Sequence, residues 1–160
     1  NPNDEQALLL DAEIQAATGN TDQAIGQLQQ ILSLNPFQEK AYFLLGELYL
    51  SLKETEKAIQ YYEEAIRRFL LINEIGICVP AYICIAEAYL DLNDCTKATN
   101  ALEQAFTYEY EYYGEENCRK YWLYDIKSKI LEKQGKNDEA AEYRRWSEEE
   151  YKKYIQSRET

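Results

Sequence analysis

The stretch Tyr-Leu-Ser-Leu-Lys-Glu-Thr-Glu-Lys-Ala at residues 49–58 returns forty residues later as Tyr-Leu-Asp-Leu-Asn-Asp-Cys-Thr-Lys-Ala at residues 89–98. Two weaker copies read Gln-Ala-Ala-Thr-Gly-Asn-Thr-Asp-Gln-Ala at 15–24 and Leu-Glu-Lys-Gln-Gly-Lys-Asn-Asp-Glu-Ala at 131–140. Such self-similarity is typical of a unit that buries its apolar face by stacking on its neighbours. Stacked pairs of short helices favour binding to another protein over catalysis.

The composition indicates an acidic, helical chain. Its 160 residues suit one compact domain or one short solenoid, and there is almost no β-rich run. The formal net charge is −12, and histidine is absent. Because affinity for nucleic acid depends on Lys and Arg, we expect no nucleic-acid partner. The charge favours basic partners, although solubility alone explains most of it.

The residue patterns of several common enzyme classes and of zinc sites are missing. Without histidine, neither a Ser-His-Asp nor a Cys-His arrangement can form. No Gly-rich phosphate loop is present. The four cysteines, Cys78, Cys84, Cys95 and Cys118, contain no C-x-x-C pair, which argues against zinc and favours free thiols in a reducing compartment. We therefore predict no enzymatic activity, no cofactor and no metal.

The start of the chain resembles the end of an internal unit. Asn1-Pro2 precedes an Ala-containing helix much as Asn35-Pro36 does, and the two prolines are 34 residues apart. We therefore expect a piece of a longer protein. The sequence has no signal peptide and no apolar stretch near 20 residues, which predicts no membrane insertion and a cytoplasmic location. Targeting signals of the longer protein would lie outside such a piece.

The 34-residue step and its small residues resemble the tetratricopeptide repeat, whose marks are Trp-x-x-Leu-Gly-x-x-Tyr, then Ala, an aromatic, Ala and a closing Pro. The second unit matches best, through Tyr42, Leu45, Gly46, Tyr49, Ala58, Tyr62 and Ala65. Leu or Tyr replaces the Trp of the family. The glycine between the two helices is present at Gly19 and Gly135 but is Lys53 and Asn93 in the middle units. The last two steps lengthen to 40 and 42 residues.

The resemblance implies an all-α, right-handed α-α superhelix (solenoid) of helix–turn–helix repeats. We expect a single array over residues 1–160, with units at about 5–38, 39–78, 79–120 and 121–157. The predicted helices span 4–17, 21–33, 38–51, 55–73, 79–91, 95–112, 116–133 and 137–157. Small residues should lie where the helices of a unit cross, at Ala12, Gly46, Ala86 and Ser128. The extra residues should lengthen the second helices, after Arg68 and after Thr107, and Gly114 should cap the latter helix.

A cluster of tyrosines occupies the longest predicted insertion, at Tyr108, Tyr110, Tyr112 and Tyr113. These rings either fill the gap between units or form an exposed aromatic patch for a partner. We favour the first interpretation.

In the family that the sequence resembles, first helices line a concave face that holds a peptide. Helical projection places an apolar residue (Leu9, Phe43 or Ile83) and a glutamate (Glu13, Glu47 or Glu87) at equivalent positions of this face in three units. The pattern changes in the fourth unit. The candidate partner-binding residues are Leu9, Glu13, Phe43, Glu47, Leu50, Ile83, Glu87, Leu90, Trp122 and Lys129. Such a face suits a segment with hydrophobic and Lys or Arg residues. Alternatively, the glutamates are ordinary solvated helix residues.

The favoured function is a protein–protein interaction scaffold that holds a peptide or helix of a partner protein in its concave groove. The alternative is a regulatory or sensory array of a larger multidomain protein, with its groove closed by an intramolecular segment. Self-association is a further possibility. A subgroup of the family clamps C-terminal carboxylates with Lys, Asn and Arg. The corresponding residues here, Leu9, Glu13, Leu44, Pro80 and Cys84, do not suit that ligand.

Overall fold

The computed structural model describes residues 2–117 and 120–158, which form eight α-helices and no strand. The helices are α1 (Pro2–Ala17), α2 (Thr21–Leu34), α3 (Glu39–Ser51), α4 (Thr55–Leu71), α5 (Ile75–Asp91), α6 (Cys95–Asn117), α7 (Lys120–Lys133) and α8 (Asn137–Arg158). The all-α class predicted from the sequence is confirmed. Consecutive helices pair as hairpins: α1 with α2, α3 with α4, α5 with α6, and α7 with α8.

The chain divides into two compact units, residues 1–74 and residues 75–160. In unit 1, α2 packs against α3, so that the hairpins α1–α2 and α3–α4 share a core. In unit 2, α6 packs against α7, and the first helices α5 and α7 also touch each other. Each unit therefore holds two stacked hairpins.

In each of the four hairpins, the residue at the same position of the turn has a left-handed backbone conformation. The backbone φ is +83° at Gly19, +63° at Lys53, +58° at Asn93 and +76° at Gly135. The residue after each one donates its N–H to the carbonyl five positions back, at 2.8–2.9 Å. This bond closes the helix as a Schellman motif. The hairpins α3–α4 and α5–α6 thus keep the turn without a glycine, and Lys53 and Asn93 adopt the strained left-handed backbone instead.

Small residues lie at the helix crossings, as predicted. Ala12 is 1%, Ala86 0% and Ser128 1% exposed, and Gly46 is buried. A Cβ at Gly46 would lie 2.7 Å from Cδ1 and Cε1 of Tyr62, which shows how closely α3 and α4 approach. The alanines of the second helices are equally buried: Ala24, Ala58, Ala98 and Ala140. The repeat pattern is therefore a packing pattern.

Several predicted helix boundaries are wrong. Helix α6 ends at Asn117 rather than at residue 112, and α7 begins at Lys120 rather than at residue 116. Helix α4 ends at Leu71 rather than at residue 73, and α5 begins at Ile75 rather than at residue 79. Part of the extra length therefore belongs to a first helix, and Pro80 lies inside α5. Proline cannot donate a backbone hydrogen bond, so the Gly76 carbonyl loses its helical donor. The sequence rule that places proline in the first turn of a helix gave the later start.

Helix α6 bends at Gly114, whose φ of 72° is positive as expected. Its ψ of 171° lies outside the left-handed helical region, so the residue makes a kink between two helical stretches instead of a cap. The tyrosines of α6 behave differently from one another. Tyr108 stacks on Tyr82 at 5.5 Å, whereas Tyr110 and Tyr112 are each 53% exposed. The Tyr112 ring nevertheless lies against α5, because a Cβ at Gly76 would be 2.9 Å from its Cε1. The packing interpretation therefore fits Tyr108 and part of Tyr112, and Tyr110 is mainly exposed. Tyr113 lies outside the described side chains.

Candidate functional site

The first helices of unit 2 form a pocket along one face of each helix. Helix α5 contributes Pro80, Ile83, Cys84 and Glu87, and α7 contributes Trp122, Asp125 and Ile126. These positions follow the spacing i, i+3, i+4, i+7, which places side chains on one face of a helix. Because α5 and α7 touch, the two faces enclose a cavity of about 370 Å³. The predicted residues Ile83, Glu87 and Trp122 come together here.

The inner wall of the pocket on α7 belongs to the core. Ile126, which lines the pocket, is 2% exposed. Nearby on α7, Ser128 is buried and donates its hydroxyl to the Asp125 carbonyl oxygen at 2.8 Å. A buried apolar side chain therefore lies at the base of the pocket.

Trp122 forms the rim of the pocket and is 42% exposed. Its ring packs edge-on against Tyr121, with centroids 5.2 Å apart. Tyr121 is itself anchored to α8, because its ring packs on Tyr151 and Tyr154 and its carbonyl oxygen accepts the Ser147 hydroxyl at 2.7 Å. An exposed indole held in this way offers apolar surface that loses little entropy on binding.

The charges at the pocket are already paired. The Lys129 ammonium lies 2.7 Å from Oδ2 of Asp125 and donates to Oε1 of Glu87 at 3.2 Å. Partial burial would by itself lower the pKa of Lys129. The hydrogen bond and charge of Asp125, and then those of Glu87, outweigh it and raise that pKa. Lys129 therefore stays protonated and bridges both helices. Of the predicted binding residues in this unit, Glu87 is thus paired with Lys129.

The first helices of unit 1 carry two glutamates, Glu13 and Glu47, that form no ion pair with the residues that the structure describes. Glu13 on α1 and Glu47 on α3 are both exposed. Partial burial of its carboxyl group, followed by the charge of Glu13, raises the pKa of Glu47. The two carboxylates therefore repel each other, and a cation beside them would relieve the repulsion.

Phe43 of unit 1 is half-buried and packs on the buried ring of Tyr62 in an edge-to-face contact at 5.5 Å. It thus has both an exposed part and a packing role. Leu50 lies on α3 about two turns beyond Phe43 and about one turn beyond Glu47, and it is half-buried as well. Both residues leave some apolar surface accessible beside Glu47.

Two predicted binding residues lie in the core. Leu9 and Leu90 are each only 6% exposed, which leaves little side chain for a partner to contact. Helical projection gives the direction of a side chain but does not reveal whether another element covers it. The projection also missed Pro80 and Ile126 as pocket residues, although the i, i+3, i+4, i+7 series through Ile83 and Trp122 includes them.

The residues that the structure describes hold neither a cluster of metal ligands nor a membrane-spanning helix. Among them, no three His, Cys, Asp or Glu side chains come together as metal ligands would. Within residues 2–117 and 120–158, no helix combines the length and apolar character that crossing a bilayer requires. Cys78, Cys84 and Cys95 are not in disulfides, and Cys118 lies outside the described residues.

The comparison of sequences finds a match over residues 9–69, to a family model described as tetratricopeptide repeat. No curated protein sequence matches the chain significantly.

Solved structures share the fold. A crystal structure of MamA has a TM-score of 0.75 at 22% identity, with 98% of this chain and 83% of that chain covered. MamA of Desulfovibrio magneticus, from residue 41 to its end, has a TM-score of 0.71 at 18% identity over 94% and 77%. A thermophilic repeat protein of Thermus thermophilus has a TM-score of 0.72 at 21% identity over 99% and 79%. At these identities the likeness concerns the fold, an all-α helical-repeat solenoid.

Proposed function

We propose that the chain, which matches the tetratricopeptide repeat over residues 9–69, is a protein-interaction scaffold that holds a peptide or helix of a partner protein on its first helices. The observation that carries this proposal is the pocket between α5 and α7, where two helix faces converge on a cavity of about 370 Å³. A cavity of this size, with apolar walls and few polar groups, is typical of a binding site.

The two units favour different parts of a partner. In unit 2, Ile83, Trp122 and Ile126 offer contact to an apolar anchor, and buried anchors usually dominate the energy of an interface. In unit 1, Glu13 and Glu47 favour a Lys or Arg side chain, beside the accessible parts of Phe43 and Leu50. The proposed partner is therefore a segment with apolar and basic residues. A net charge of −12 disfavours nucleic acid in this role.

Selection of random peptides displayed on phage, with the purified chain as bait, tests the proposal without knowledge of the partner. Enriched peptides are then made with a fluorophore, and their affinity is measured by anisotropy. We expect Trp122→Ala and Ile83→Ala to weaken binding about tenfold or more, because each removes part of the apolar anchor site.

Ile155→Ala is the control, since Ile155 is 38% exposed on α8 and does not line the pocket. It should leave the affinity unchanged. Circular dichroism of each variant checks that the fold is retained, and the exposed Trp122 is the safer of the two sites in that respect. Equal affinity for the selected peptides in Trp122→Ala, Ile83→Ala and the control would contradict the proposal.

A further inference from the structure

The pairing of Lys129 changes the selectivity expected of the pocket in unit 2. Its ammonium contacts both carboxylates at the rim, Asp125 at 2.7 Å and Glu87 at 3.2 Å. With three charged groups, two negative and one positive, the rim keeps a net charge of −1. The two carboxylates share the Lys129 ammonium, so each already has a cation beside it.

A cationic side chain entering this pocket would meet an existing cation. To reach Glu87 or Asp125 it must displace Lys129 or share its partners, and the exchange of one ammonium for another gains little. An uncharged apolar side chain, by contrast, contacts Ile83, Ile126 and the Trp122 ring without desolvating an unpaired charge. The geometry therefore favours the neutral group.

We propose that the pocket of unit 2 takes an uncharged apolar side chain of the partner and that Lys129 is the residue that excludes cations from it. The proposal rests on the proposed function and refines it. The carboxylates of unit 1 then bind the basic residues of the partner, and the pocket of unit 2 binds its apolar anchor. Lys129 is thus a specificity-determining residue, acting by occupying the acidic rim itself.

Two small probes that differ in a single group test this selectivity directly. The neutral probe is 4-methylbenzyl alcohol, and the cationic probe is 4-methylbenzylamine, which is an ammonium ion at neutral pH. Binding is followed by NMR through the indole N–H resonance of Trp122, in ¹⁵N-labelled protein. The second indole resonance belongs to Trp146, and the spectrum of Trp146→Phe separates the two.

In the wild-type chain we expect the alcohol to bind at least as well as the amine. In Lys129→Met, the affinity for the amine should rise about two- to fivefold, because two partly exposed carboxylates become available to it. The affinity for the alcohol should change less than about twofold, because an uncharged hydroxyl forms no ion pair with these carboxylates. The gain for the amine should also shrink as salt is added.

Lys133→Met is the matched control. Lys133 lies one turn further along α7, and its ammonium donates to Oδ1 of Asn93 at 2.7 Å rather than to a pocket carboxylate. Its removal should leave both affinities unchanged. Adding Glu87→Gln and Asp125→Asn to Lys129→Met should abolish the gain for the amine, because the acidic rim is then neutral.

A wild-type preference for the amine would overturn the inference. So would a Lys129→Met variant that binds the two probes with unchanged relative affinity while the alcohol still reports at Trp122. That second result would leave the proposed function intact, since the pocket would still bind an apolar group. If neither probe moves the Trp122 resonance, the inference fails. The selected peptides and their dependence on Ile83 and Trp122 then decide the proposed function separately.

Discussion

Substitution of Gly46 by alanine should destabilise unit 1, although alanine is the better helix former. A Cβ at this position would lie 2.7 Å from two carbon atoms of the Tyr62 ring, whereas non-bonded carbons settle at about 3.5–4.0 Å. Tyr62 is only 1% exposed, so its ring has no open space into which to move. The helices α3 and α4 must therefore separate or distort.

The magnitude follows from two opposing effects. Overpacking of a core costs about 1–3 kcal/mol. Replacement of glycine by alanine inside a helix contributes about 1 kcal/mol in the other direction. We therefore expect a net loss of about 1 kcal/mol for Gly46→Ala. Gly46→Leu, with more atoms in the same gap, should lose more.

Gly26→Ala isolates the packing contribution. Gly26 lies on α2 of the same unit, and no atom lies within 4 Å of the position of its added Cβ. It should gain the roughly 1 kcal/mol of helix propensity without a clash. The difference between the two variants then measures overpacking alone, and we expect it to be about 1–3 kcal/mol.

Guanidinium unfolding followed by circular dichroism at the helical band provides the measurement. The slope of the transition should stay constant among wild type, Gly26→Ala and Gly46→Ala, so that the midpoints report stability. If Gly46→Ala proves as stable as Gly26→Ala, the close crossing of α3 and α4 is not a constraint on this fold, and the reasoning from the Tyr62 contact is refuted.

Three further variants test other features. Lys53→Gly should raise the free energy of unfolding by about 1 kcal/mol, because it relieves a positive φ of 63° that glycine adopts without strain; a lower thermal midpoint would contradict this. Phe43→Ala should lower the unfolding free energy by about 1–3 kcal/mol while retaining helicity, because a half-buried ring leaves Tyr62; unchanged stability would make Phe43 a surface residue. Glu47 has a folded pKa above its usual value of 4.5, so its ionisation costs stability as pH rises through the folded pKa. Glu47→Gln should therefore exceed wild type in stability at about pH 7, with the advantage vanishing below about pH 4; an advantage confined to acid pH would contradict the sign.

The repeat pattern was sufficient to predict the class of fold and the position of each hairpin turn. It succeeded because small residues such as Ala12 and Ala86 recur wherever two helices cross, and their spacing is visible in one dimension. It missed the start of α5 because Pro80 suggested a first turn, while the Schellman turn at Asn73 already closes α4. Local rules compete at such a boundary, and packing decides between them.

The candidate site was only partly predictable. Projection correctly grouped Ile83 with Glu87, because both belong to one helix. The bridge from Lys129 to Glu87 joins residues 42 positions apart, and it depends on the register between α5 and α7. That register is a tertiary property, set by the side chains packed between the helices. The burial of Leu9 and Leu90 escaped projection for the same reason.

The wall of the pocket contains a thiol, which permits covalent labelling of this site. Cys84 lines the cavity, whereas burial raises the pKa of Cys78 to about 11 and keeps that thiol protonated and unreactive at neutral pH. Disulfide-bearing fragments could therefore be captured at Cys84 by exchange and weighed by mass spectrometry. The fragments retained would indicate the size and shape of the apolar side chain that the pocket accepts.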